Sequence, residues 1–208
     1  METKEFTEMK AFALYGHTRP VKKIRFNRDG DLFFTCSDDK YIIVWDQDGK
    51  QMGRFLGDGA CKSLAVSYNT EWVVGAFSTE GFHVFNALTG ERIFKQSYSE
   101  RCFNVDLNFG DTELCVLLMG FKGVHQVNTY DFREIVTSKK ISEPKYQITF
   151  RDENPTQASW GLMNEYFYVS SYKPTISQGN LYKYKLESGK AEEVLAKTGL
   201  HNGEIFSF

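Results

Sequence analysis

No apolar run in this 208-residue chain approaches the roughly 20 residues that a membrane-crossing helix needs. The opening, Met1-Glu-Thr-Lys-Glu-Phe6, lacks the apolar stretch of a secretory signal. No C-x-x-C pair occurs: Cys36, Cys61, Cys102 and Cys115 stand 25, 41 and 13 residues apart. That spacing argues against a metal knuckle and offers no disulfide framework, so a reducing cytosol is the expected setting. Charge of one sign is not in excess, with 25 Lys+Arg against 27 Asp+Glu. Such balance excludes the wholesale coating of nucleic acid that a strongly basic domain performs. The triplet Asn154-Pro155-Thr156 fails as a glycosylation acceptor because of its proline. A soluble cytoplasmic protein of one or at most two domains is the expectation.

Catalytic constellations are missing as well. No G-x-S-x-G or H-E-x-x-H is present, and the four histidines, His17, His83, His125 and His201, are scattered. Gly57-Asp-Gly-Ala-Cys-Lys62-Ser63 has the look of a phosphate loop but lacks the glycine before the lysine and runs into a strand, not a helix N-terminus. Asp46-Gln-Asp48-Gly49 places its glycine too early for a calcium loop. The reading is therefore a protein without catalytic residues, cofactor or metal.

What the chain does have is aromatics, 15% of residues, with 17 Gly and only 4 Pro. Aromatics suit a pleated, half-buried surface, and glycines punctuate it with turns. Val21 to Phe26 is followed by the hairpin signal Asn27-Arg28-Asp29-Gly30, then by candidate strands at Asp31–Thr35, Tyr41–Trp45 and Gln51–Leu56. The unit then recurs. Trp45-Asp46 with Gly49, Phe85-Asn86 with Gly90 and Tyr184-Lys185 with Gly189 mark the end of a third strand, and Tyr130-Asp131 does so without the glycine. The spacings from 45 to 85 and from 85 to 130 match the period of about 40–45 residues of WD40 repeats, four strands to a propeller blade. The expected fold is all-β: four blades, about 17–56, 57–97, 98–140 and 141–200, then the first strand of a fifth at 201–208. The longer last interval is charged to loops at Ile141–Pro155 and Tyr172–Gly179.

The first blade resembles a WD40 repeat closely, with Gly16-His17 ahead of its first strand and Trp45-Asp46 ending its third. That resemblance implies a hydrogen-bonded structural tetrad of His17, Thr35, Asp39 and Trp45. The chemistry is coherent, since neutral histidine has one donor and one acceptor nitrogen, indole only donates and carboxylate only accepts. The second blade offers Gly75, Thr79 and Phe85 in those places, and aromatic packing is expected to stand in for the network.

Beyond single repeats, Leu14-Tyr-Gly-His-Thr-Arg19 and Ile24-Arg-Phe-Asn-Arg-Asp-Gly-Asp-Leu-Phe-Phe-Thr35 resemble the start of the family of subunit I of eukaryotic translation initiation factor 3. Met9-Lys10 opens the strand before Gly-His as that family does. Asn108-Phe-Gly110, Tyr130-Asp-Phe-Arg133, Trp160-Gly161 and Leu186-Glu-Ser-Gly-Lys190 follow in order. The resemblance covers about 9–208, leaving 1–8 as a charged extension. It implies a seven-bladed propeller, so a chain ending at Phe208 reads as a partial model, a truncated product or one part of a split protein. It also implies a scaffold without catalysis, partnered by the B and G subunits and, through the complex, by the small ribosomal subunit in mRNA recruitment and scanning. Interface residues are unknown from it, since much of the docking surface lies on later blades. A WD40 signalling adaptor of the receptor-kinase-associated type is the alternative. Arg19, Lys22, Lys23, Arg25 and Arg28 form a basic cluster, read as a solvated face in preference to a contact with rRNA.

Overall fold

The computed structural model describes residues 13–161, 164–187 and 190–201. Among these described residues sixteen strands form four antiparallel sheets, each built from four consecutive strands in simple up-and-down order. The first holds β1 (Val21–Phe26), β2 (Leu32–Ser37), β3 (Tyr41–Asp46) and β4 (Gln51–Leu56). The second holds β5 (Cys61–Val66), β6 (Trp72–Phe77), β7 (Gly81–Asn86) and β8 (Arg92–Gln96). The third holds β9 (Arg101–Leu107), β10 (Glu113–Met119), β11 (Val124–Asp131) and β12 (Tyr146–Arg151). The fourth holds β13 (Asn154–Trp160), β14 (Tyr166–Lys173), β15 (Gln178–Glu187) and β16 (Lys190–His201). The leading strands β1, β5, β9 and β13 are neighbours in turn, so the sheets fan out as the blades of a propeller.

Short polar side chains close the hairpins. Asn27 and Asn108 accept the amides of Leu32 and of Thr112 and Glu113, and the Ser67 hydroxyl accepts that of Trp72. After the third strands, Asp46 accepts the amides of Asp48 and Lys50, and Asn86 those of Leu88 and Thr89. In these two blades the polar residue that follows the terminal aromatic is thus a turn builder.

Alternation along each strand sends neighbouring residues to opposite seams between blades. Phe34, Cys36, Ile42 and Val44 of the first blade meet Cys61, Leu64, Val73, Phe77 and Phe85 of the second. Val74, Ala76, Phe82 and Val84 meet Cys102, Val105, Leu114, Val116 and Leu118 of the third. Cys115, Leu117 and Val127 meet Ala158, Phe167, Val169 and Tyr184 of the fourth. Successive residues Val73 and Val74, or Val116 and Leu117, therefore belong to different cores. Each fully buried Phe, Leu or Val in these seams contributes roughly 1.5–3 kcal/mol.

The third blade departs from expectation. Its outer strand β12 pairs with β11, so the sheet runs to Arg151, and the expected boundary at 140/141 is corrected to the two residues between β12 and β13. The cause is a short helix, α1 (Phe132–Ser138), inserted where the first two blades have a tight turn. Asp131, expected to mark the end of the third strand, caps it by accepting the Glu134 amide at 2.9 Å, and Lys139 ends it at φ 53°. Phe132 and Ile135 bury it in the seam with the second blade. His201, expected to open a fifth blade, is the last residue of β16 and pairs with Gly179. Residues 202–208, expected to form that blade's first strand, lie outside the described residues, as do Gly189, the 1–8 extension and the Met9–Phe12 part of the opening strand. Ala13 to Tyr15 is irregular.

The first seam contains a buried base. His83 is wholly inaccessible, its ring 4.4 Å from that of Phe77 and 6.0 Å from that of Phe85. Neither ring nitrogen has a hydrogen-bond partner among the described residues. Asp58 lies 3.9 Å from Nε2 but is engaged by Arg92 at 2.9 Å and Lys95 at 2.8 Å. Burial first, and the Arg92 charge second, push the imidazole down from 6.5 to about 4. Between those values the unfolded chain takes up a proton that the fold refuses, so stability falls as pH drops from 6.5 toward 4, by up to about 1.4 kcal/mol per pH unit. His83→Leu should flatten this acid limb. Urea midpoints of both proteins at pH 7 and pH 5 test it; equal losses would show that the histidine is not responsible.

Candidate functional site

In the first blade the structure brings His17, Thr35, Asp39 and Trp45 together. The Trp45 indole N–H donates to Thr35 Oγ1 at 2.8 Å. That hydroxyl in turn donates to His17 Nε2 at 2.8 Å, and His17 Nδ1 donates to Asp39 Oδ2 at 2.9 Å. All four residues use the donor or acceptor capacity their chemistry allows. Asp39 also accepts the amides of Thr18 and Tyr41, which ties the approach to β1 to the β2–β3 turn. Burial raises the Asp39 carboxyl, but those two amides and His17 outweigh it and hold the group below its ordinary value. Gly16 is needed beside this chain, because a Cβ there would stand 2.6 Å from the Trp45 ring.

The second blade has no such chain. Phe77 fills the slot, its ring lying where a side chain at Gly57 would stand, and it packs on His83 and, edge-on at 6.4 Å, on Phe85. In the third blade Tyr130 accepts a hydrogen bond from Asn128 at 3.2 Å. In the fourth, Tyr184 lies 6.3 Å from Tyr182, ring over ring.

A second feature lies where the leading strands converge. Each of the four carries a one-residue bulge at the same place, skipping Lys22, Lys62, Phe103 and Thr156 in the pairing with its neighbour. A bulge re-aims the side chain it frees. All four bulged residues line one cavity of about 460 Å³. Beneath them runs a polar belt: Lys23 Nζ donates to Ser63 Oγ at 3.3 Å, Asn104 Nδ2 donates to the same hydroxyl at 3.2 Å, and Asn104 Oδ1 accepts the Ala158 amide at 3.3 Å. Sequence reasoning missed this belt. Its only trace is a polar residue directly after the bulged one in each leading strand, Lys23, Ser63, Asn104 and Gln157.

The basic cluster does not form one patch. Arg28 lies over the Tyr68 ring at 4.4 Å, and Lys22 pairs with Asp38 at 3.1 Å, a carboxylate it shares with Lys62. Lys23 and Arg25 face the cavity, while Arg19 lies on the surface and its carbonyl accepts the Ser37 hydroxyl at 2.9 Å. Burial first, and Arg25 second, push the Lys23 ammonium down from 10.5 to about 8.

Two outcomes are expected. Asp39→Ala leaves His17 and two amides unpaired and should cost roughly 1–3 kcal/mol of stability, read from the denaturation midpoint. A wild-type midpoint would remove the tetrad's structural role. For Lys23 the sign is opposite: below pH 8 the fold bears a charge it disfavours, and the penalty is relieved as pH rises from about 8 toward 10.5. Lys23→Met should therefore melt higher than wild type at pH 7, with the margin narrowing above pH 8. A lower melting point at pH 7 would contradict it.

Comparison with known proteins gives this geometry a family context. The model of the WD domain, G-beta repeat, matches residues 9–46, the stretch that holds the tetrad. Eukaryotic translation initiation factor 3 subunit I of Schizosaccharomyces pombe is 26% identical over 82% of this chain and 53% of its own length. The protein of the same name from Aspergillus fumigatus is 30% identical, over 82% of this chain and 52% of its own length. The chain thus spans about half the length of the curated relatives it matches. Among solved structures, the β-propeller domain of Myceliophteria thermophila Cps50 (Swd1) aligns over 92% of this chain and 59% of its own, with a TM-score of 0.68 at 14% identity, which speaks for the fold alone. The chain is thus a run of β-propeller blades whose first carries the WD domain, G-beta repeat, and it is similar over most of its length to eukaryotic translation initiation factor 3 subunit I.

Proposed function

We propose that this chain serves as a non-catalytic scaffold of the translation initiation factor 3 assembly in the cytoplasm, supporting preinitiation complex formation, mRNA recruitment and scanning on the small ribosomal subunit. The observation that carries the reading is its similarity to proteins named as subunit I over 82% of its length. The physical character of the blades agrees with it. Rigid seams leave turns and sheet faces to present to neighbours, and such surfaces need no chemistry of their own. Burial raises the thiols of Cys61, Cys102 and Cys115, which keeps them protonated and inert. On the face of the first blade turned away from the second, Ile24 is 52% and Phe26 65% exposed, an apolar surface suited to a protein neighbour. No helix among the described residues is long and apolar enough to cross a membrane.

The partners in this reading are the B and G subunits, reached by protein contact, with no direct RNA contact required. Affinity purification of the tagged chain at physiological salt tests it. Recovery of both subunits, retained after nuclease treatment, is the expected result. Recovery of receptor kinases instead would favour a signalling adaptor and overturn the assignment.

A further inference from the structure

The cavity where the leading strands converge is lined by basic side chains. Lys22, Lys23, Arg25 and Lys62 all line it, and no carboxylate does. Asp38 engages Lys22 and Lys62. Asp106, the acid that acts electrostatically on Lys23, accepts instead from the Ser159 hydroxyl at 2.6 Å and the Trp160 amide at 3.1 Å. Among the described residues, then, no carboxylate pairs with Lys23 or Arg25. These two cations stand two residues apart on one face of β1, where alternation points both the same way. Like charges held side by side in a partly desolvated cavity repel unless an anion joins them.

The supporting groups are fixed. Ser63 and Asn104 are buried, and the Ser63 hydroxyl is held by Lys23, Asn104 and the Val105 carbonyl. A donor set of ammonium, guanidinium and amide groups matches the oxygens of a phosphate, with the arginine able to engage two at once. The volume, about 460 Å³, lies in the range of small-molecule sites and exceeds what one phosphate fills. We propose that this cavity binds a small phosphorylated molecule, its phosphate held by Lys23 and Arg25 and flanked by Lys22 and Lys62.

Thermal shift and calorimetry with inorganic phosphate and pyrophosphate, at matched ionic strength against chloride, test the proposal on the purified chain. Saturable stabilisation is expected, stronger for pyrophosphate, with affinity falling at least tenfold in Lys23→Met and in Arg25→Met. Arg28→Met, whose guanidinium stacks on Tyr68 outside the cavity, should bind as wild type. Absence of saturable binding would overturn the site. Equal weakening by Arg28→Met would do so too, reducing the effect to general surface charge. A short single-stranded RNA provides the third arm: if it binds in a manner dependent on Lys23 and Arg25 while pyrophosphate does not, the small-molecule assignment is wrong.

Discussion

A sheet buried on both faces cannot stand by itself, and that constraint governs this molecule. The middle strands β6 and β7 are covered throughout almost their whole length, with alternate residues committed to different neighbours. A blade is stable only as part of a stack, because each of its faces needs another blade's apolar surface to exclude water. The turn chemistry, the aromatic richness and the scattering of buried cysteines all follow from this demand for two-sided burial.

The slot beside each third strand is filled in more than one way. In the first blade a hydrogen-bonded chain from Trp45 to Asp39 occupies it, and in the second the ring of Phe77 does. A buried polar network fixes geometry only when every member is satisfied, whereas rings fill the same space with little directional demand. The second blade nevertheless keeps one polar atom pair without partners, on His83. The turn at Ser37–Lys40 joins two tasks: Asp39 completes the tetrad, while its neighbour Asp38 holds the two lysines at the cavity rim.

Much of this was legible in the sequence. The Asp-Gly turn and the recurrent aromatic-polar pair locate the four strands of the first blade and the end of the third strand in the second, and the resemblance to a WD40 repeat carried by the Gly-His and Trp-Asp pairs implies the tetrad by residue. The third blade was not legible to the same degree. Asp131 marks a turn and a helix start with the same side chain, and sequence spacing alone does not separate them. Without α1 in view, sequence spacing assigns β12 to the fourth blade. The cavity was hidden for another reason. Bulges interrupt alternation by one residue, so strand periodicity does not show that Lys22 and Lys62 turn toward one cavity. The basic cluster was visible as charge, but its partition among Tyr68, Asp38 and the cavity depends on contacts between blades.

The cysteines gain a use from where they sit. Cys36 and Cys61 lie in the first seam, Cys102 in the second and Cys115 in the third, all reduced and out of reach of solvent. Any alkylating reagent must wait for the wedge around its target to part. Mass-resolved labelling over time would therefore clock the opening of every joint separately, in a molecule that carries its own probes and needs none engineered.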